Sequence, residues 1–219
     1  QLAALLSAEE DGRWLTASKL NAFVTYEPGC ANSATFPERE VVRLPSKPNI
    51  TTEFGTEVHA MLEDVSNMTL GAAQCSLDKV VAAHRANIAH LDFPVGEVSK
   101  YLERFDAICE TFVPWLVEHV AGCRCVAEAR LHAATAAGSP IYGIQDLLLV
   151  DDEARTVRIV DYKTGLKHEV PSKYERQLKF YKLLVESSAE FEGYTVEAMG
   201  EYYVEPDKKT GELSKPFMA

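Results

Sequence analysis

Two apolar runs, Ile141 to Val150 and Thr156 to Tyr162, flank the polar stretch Asp151-Asp152-Glu153-Ala154-Arg155, and no other part of the chain constrains the fold as much. Such a pattern reads as an antiparallel hairpin with a short turn. If the turn centres between Glu153 and Ala154, Val150 lies opposite Val157, Leu148 opposite Ile159, Asp146 opposite Asp161 and Ile144 opposite Lys163. Side chains alternate with period two, so all eight are expected on one face. The apolar pairs match. A slip of one residue would flip one strand's set, so the match favours this register.

The register has a chemical consequence. Two carboxylates directly opposite one another on a half-buried face repel. Protonation, the Lys163 ammonium or a divalent cation must offset them, and hard oxygen ligands suit Mg²⁺ or Mn²⁺. Lys163 lies two residues beyond Asp161 on the same face, where an ammonium can orient an attacking water or neutralise phosphate charge in a transition state. A surface Asp–Lys ion pair on an exposed strand accounts for the same residues, and the local sequence leaves both readings open.

Around the hairpin the period changes. Residues 14–122 read mainly as helix: a short capped helix at Thr16-Ala17-Ser18, a long connection over 25–52, and a helix starting at Thr52-Glu53. In that helix Phe54, Val58, Met61, Leu62 and Val65 form one apolar stripe. Further helices are expected at about 76–90 and 97–120, the latter with Pro114 as a kink. Residues 123–205 read as β-β-β-α-β, with strands from Cys125, Ile141 and Thr156, a helix from Pro171 to about Ser188 and a strand from Thr195 to Glu205. An α/β (α+β) core with a helical N-terminal half follows, and the 219 residues are expected to form a single domain.

Composition limits the function classes. At 47% hydrophobic and 25% charged the chain is an ordinary globular one. No apolar run is long enough for a transmembrane helix, and no secretory leader is seen. The five cysteines, Cys30, Cys75, Cys109, Cys123 and Cys125, are odd in number and lack framework spacing, which points to a cytoplasmic setting. Cys123 and Cys125, with His119 and His132 nearby, have the wrong spacing for a zinc knuckle and read as structural thiols. The net charge is −11, which argues against strong nucleic-acid affinity for the isolated chain. Within that acidic body, residues 161–182 place Lys163, Lys167, Lys173, Arg176, Lys179 and Lys182 against only Asp161, Glu169 and Glu175. The segment is a place for an anionic ligand, or simply a solvated helix face.

Gly143-Ile144-Gln145-Asp146, then Asp161-Tyr162-Lys163-Thr164-Gly165, then Gln177-Leu178-Lys179-Phe180-Tyr181, together with Gly55-Thr56-Glu57-Val58-His59 upstream, resemble the RecB-like branch of the PD-(D/E)XK nucleases. That branch has a helical histidine, a G-x-x-D strand, a D-Y-K-T-G strand end and a Q-x-x-x-Y helix in this order. Leu15 to Phe23, followed by Phe54 to His59, extends the similarity to the C-terminal nuclease region of UvrD/Rep-type superfamily-1 helicases.

The resemblance implies a restriction-endonuclease-like core, a central mixed β-sheet flanked by helices, and a Mg²⁺- or Mn²⁺-dependent deoxyribonuclease that hydrolyses phosphodiester bonds. It implies His59, Asp146, Asp161 and the Tyr162 carbonyl as metal ligands, Lys163 as the catalytic lysine, and Gln177 and Tyr181 as residues that contact DNA or brace the site. By helical spacing alone Tyr181 is equally a core aromatic, and His59 a core-edge histidine. Glu128 matches an acidic residue of the preceding strand and is a further catalytic or ligand candidate, or a partner of Arg130. Lys167 and Lys173 are candidate DNA contacts. Many relatives hold an iron–sulfur cluster with three cysteines after the Q-x-x-x-Y helix; no Cys follows Cys125, so no cluster is expected. No phosphate-binding G-x-x-x-x-G-K-[ST] loop is present, and the chain begins with Gln. A helicase in a longer parent chain or in a complex is therefore the expected partner, feeding single-stranded DNA to an exonuclease in repair or recombination. The alternatives are a silent nuclease-fold domain that guides DNA or braces a helicase, and a sequence-specific endonuclease.

Overall fold

Among the described residues, three long helices precede the sheet in the computed structural model, which describes residues 14–18, 20, 49–68, 76–165 and 171–218. Cys30, Cys75, Lys167 and most of the 25–52 connection lie outside them. Helix α1, Ile50–Met68, starts two residues earlier than its sequence pattern suggests. Asn49 Oδ1 accepts the Thr51 N–H at 2.9 Å and so satisfies one of the helix's orphan donors. The expected stripe of Phe54, Val58, Met61, Leu62 and Val65 is buried. Helix α2, Leu77–Ala89, buries Val80, His84 and Ile88 at successive turns. Helix α3, Val95–Val120, runs on through Pro114 and buries Phe105, Ile108, Phe112 and Leu116.

The sheet has strand order β1-β2-β3-β4-β5. Strands β1 (Arg124–Ala134), β2 (Pro140–Asp151) and β3 (Thr156–Lys163) form an antiparallel meander. Helix α4, Pro171–Ser187, then crosses over, so that β4, Thr195–Tyr203, pairs parallel to β3. A two-residue β5, Phe217–Met218, closes the edge against Gly200 and Glu201. Helices α1–α3 cover one face of the sheet, over Leu147, Leu149, Val160 and Tyr162. Helix α4 covers the other, over Leu148, Val150, Val157 and Ile159. Residues 147–150 of β2 are all buried because both faces are covered.

The hairpin pairs in the expected register from Leu147↔Val160 through Leu148↔Ile159 to Asp151↔Thr156. Its far end corrects the expectation that eight side chains share a face. On β2, Ile141 packs with the α4-side core, and a Cβ on Gly143 would meet Leu184 Cδ2 at 2.8 Å and Tyr181 Cε1 at 3.5 Å. Leu147 and Leu149, also odd-numbered, pack instead with the α1–α3 core. With a strict period of two these residues would share a face, so β2 turns over between Gly143 and Leu147. Strand β1 turns over beside it: Cys125 faces α1–α3, whereas Ala129, Leu131 and Ala133 face α4. The pivot on β1 is Glu128, whose φ of 46° lies in the left-handed region. The two strands stay in register, with Ala127↔Leu147 and Ala129↔Gln145 on either side of the pivot.

Past Leu147↔Val160 the ladder between β2 and β3 ends, so Asp146 and Asp161 are not a ladder pair, and Ile144 pairs with Arg130 rather than Lys163. Repulsion between facing carboxylates works in the same direction as the turnover. Asp146 is turned into the seam between the strands, and its Oδ2 accepts the Tyr162 N–H at 2.6 Å.

Candidate metal centre

The seam brings α1 to the carboxylates. His59 Nδ1 lies 3.3 Å from Asp146 Oδ1, and ligand atoms of His59, Glu128 and Asp146 all fall within 4.8 Å of one another. Helix α1 can come this close because Gly55, one turn before His59, has no side chain: a Cβ there would sit 3.2 Å from Thr164 Oγ1. The Tyr162 ring packs edge-on behind the imidazole, with ring centroids 5.9 Å apart. A cleft of about 500 Å³ opens beside the cluster, lined by Thr51, Thr52, Gly55, Thr56, His59, Ala60, Glu63, Glu128 and Thr164.

On the α4 side, Asp161 is 3% exposed. Its Oδ2 is ion-paired with Lys163 Nζ, and its Oδ1 accepts a hydrogen bond from Gln177 Nε2 at 3.1 Å. Gln177 also donates to the Tyr181 hydroxyl at 3.0 Å, one helical turn on. Tyr181 is buried in the α4-side core, and burial pushes its phenol up to about 12. Lys173 stands exposed in the first turn of α4, 5.9 Å from the centroid of the Tyr174 ring, and Lys163 lies 5.8 Å from that centroid.

The electrostatics carry an excess of negative charge. Burial pushes the Asp161 carboxyl up to about 6; Lys163 opposes this and Asp146 adds to it. Burial also raises Glu128, with Asp146 and Glu63 beside it. The two cations respond in the opposite sense. Burial disfavours a charged His59, yet its bond to Asp146 and the two aspartates hold its pKa above the ordinary imidazole range. Burial likewise opposes the Lys163 ammonium, and Asp161 more than offsets it. The cationic side chains acting on the centre, His59, Lys163 and Arg130, face four carboxylates, Glu63, Glu128, Asp146 and Asp161. This donor set of carboxylate oxygens and one imidazole nitrogen fits a hard or borderline divalent cation.

One buried carboxylate escaped the sequence reading. Glu201 on β4 is the parallel partner of Asp161, so Glu128, Asp146, Asp161 and Glu201 follow one another across four adjacent strands. No local motif marks Glu201, and only the crossover through α4 puts β4 beside β3. Cys123 and Cys125 belong to no metal-binding group among the described residues. Arg158 donates to Cys123 Sγ at 3.4 Å, His119 stacks on Trp115 and His132 on Tyr142.

The family model of the PD-(D/E)XK nuclease superfamily matches residues 16–217. No curated protein matches the chain.

Proposed function

The chain belongs to the PD-(D/E)XK nuclease superfamily, a group of metal-dependent nucleases, and on that premise we propose that it is a Mg²⁺- or Mn²⁺-dependent deoxyribonuclease of the RecB-like branch. It works as the nuclease module of a UvrD/Rep-type helicase–nuclease, degrading single-stranded DNA from an end. The observation that carries this reading is the convergence of His59, Glu128 and Asp146 within 4.8 Å of one another, beside the buried Asp161–Lys163 pair. No helix among the described residues is long and apolar enough to cross a membrane.

In this reading His59, Asp146 and Asp161 would hold the cation, with Glu128, already within reach of His59 and Asp146, and the Tyr162 carbonyl as further ligands. A cation held there would supply Lewis-acid chemistry toward the phosphodiester and a water of lowered pKa. Lys163 places its ammonium against the charge that develops on the phosphate oxygens. Gln177 fixes Asp161 through Oδ1, and Tyr181 fixes Gln177 in turn, so the two act as braces rather than DNA contacts. Lys173, exposed at the start of α4, is a backbone contact for the departing strand, as is Lys167. The −11 net charge supports dependence on a helicase, since weak intrinsic DNA affinity is compensated by delivery.

The test is degradation of end-labelled and circular single-stranded DNA with Mg²⁺, Mn²⁺ or EDTA, comparing the native chain with Asp161→Ala. Metal-dependent loss of the linear substrate alone, abolished in the variant, is expected. Cleavage of the circle would make it an endonuclease. DNA binding without cleavage in either metal would leave a guiding or bracing domain.

A further inference from the structure

Glu201 is fully buried, and its Oε1 has no hydrogen-bond partner among the described residues. The other oxygen receives only a long contact, the Tyr203 hydroxyl at 3.5 Å. A carboxylate buried this way is strongly unfavourable in its charged form unless a proton or a cation neutralises it. Burial pushes it up to about 7, with Lys163 pulling it down and Asp161 pushing it further up. Lys173 also acts on it, but that side chain is exposed at the surface.

The register makes the arrangement specific. Asp161 and Glu201 are neighbours in a parallel pair, and Lys163 lies two residues beyond Asp161 on the same face. The Lys163 ammonium is closed on Asp161 Oδ2. It therefore occupies an oxygen of a carboxylate that the reading above assigns to the cation. When a cation claims that carboxylate, it repels the ammonium held on the same group, and a lysine with no second carboxylate would either compete for Asp161 or swing into solvent.

We propose that Glu201 is a positioning residue for Lys163: it receives the ammonium when a divalent cation takes Asp161, and so keeps Lys163 charged and in place beside the site. The inference rests on the metal-dependent reading of the centre. Glu201 does not touch the substrate or the cation. It acts by giving Lys163 somewhere else to go.

The test is calorimetric titration of Mn²⁺ into the native chain, Glu201→Gln, Lys163→Met and the double variant, each checked for a cooperative thermal unfolding transition. Glu201→Gln is expected to weaken Mn²⁺ binding about tenfold, because Lys163 then stays on Asp161 and competes. In the Lys163→Met background the same change is expected to alter affinity less than about twofold, since the two side chains act as one unit. At saturating Mn²⁺, Glu201→Gln is expected to lower kcat with KM for DNA unchanged. Should Gln disturb the fold, Glu201→Asp keeps the charge at shorter reach and is expected to show a smaller, equally Lys163-dependent loss. Equal weakening in both backgrounds would make Glu201 a ligand or a diffuse charge and overturn the proposal. Unchanged affinity with Lys163 present would overturn it as well, while leaving the metal centre intact. Absence of Mn²⁺ binding by the native chain would bring down the metal centre itself, and this inference with it.

Discussion

Helix α1 carries two histidine–carboxylate clusters on neighbouring turns, and they are built to opposite ends. In one, the buried His84 of α2 bridges two carboxylates of α1, with Nδ1 2.7 Å from Glu57 Oε1 and Nε2 3.0 Å from Asp64 Oδ2. Asn87 adds a donor to the same Glu57 oxygen at 2.7 Å. Both ring nitrogens of His84 have a carboxylate partner, and the result is a clasp between two helices. In the other, His59 of α1 meets Asp146 and Glu128 at the wall of an open cleft, with Asp161 and Lys163 paired behind them. A buried polar cluster that is closed on itself rigidifies the fold. One that opens onto a cleft is a place for a cation from outside.

Breaking each cluster should therefore give opposite phenotypes. The largest effect is expected from Asp146→Ala or Lys163→Ala, each lowering kcat on DNA by about 10²–10³-fold or more, well beyond any loss of folded protein. His84→Ala is its counterpart. It should leave kcat within a few-fold and destabilise the fold by about 2 kcal/mol, because Glu57 and Asp64 lose their shared donor. Thermal unfolding would read this as a fall of about 4–8 °C for a chain of this length. A loss of activity without a loss of stability in His84→Ala would contradict the division.

The pH dependence sharpens the contrast further. A cation binds the deprotonated forms of its ligands, so Mn²⁺ affinity measured calorimetrically should rise with pH between 5 and 7 as Asp161, at about 6, and His59 give up protons. The smallest effect concerns stability of the metal-free protein. Asp161 has a folded-state pKa raised above its ordinary value of 3.8. Its contribution is full below that ordinary value and is lost as pH rises through about 6. Asp161→Asn should accordingly raise the metal-free unfolding midpoint at pH 7.5 by a few degrees, about 1 kcal/mol, while abolishing metal-dependent activity. If the variant instead lowers stability, the Asp161–Lys163 pair contributes more than its burial costs.

The parts of this molecule that were legible in the sequence are those governed by local periodicity. The stripe from Phe54 to Val65 is the buried face of α1, and matched apolar pairs in the hairpin gave its register. The spacing of Gly143, Asp146, Asp161, Lys163 and Gln177 placed the candidate site residues on the strands and helix that carry them, because a short motif keeps its shape wherever the chain continues.

Tertiary structure alone decided how those residues meet. A period of two predicts Asp146 and Asp161 side by side on one face. Instead β1 and β2 turn over together near Glu128, which no alternation rule for a single strand can express, and Asp146 thereby reaches His59. Glu201 lay outside the reach of sequence for a related reason. Its neighbour Asp161 is 40 residues away, and the parallel pairing that joins them depends on where α4 packs. Local periodicity determines which face a side chain can take; only packing between distant segments determines what it finds there.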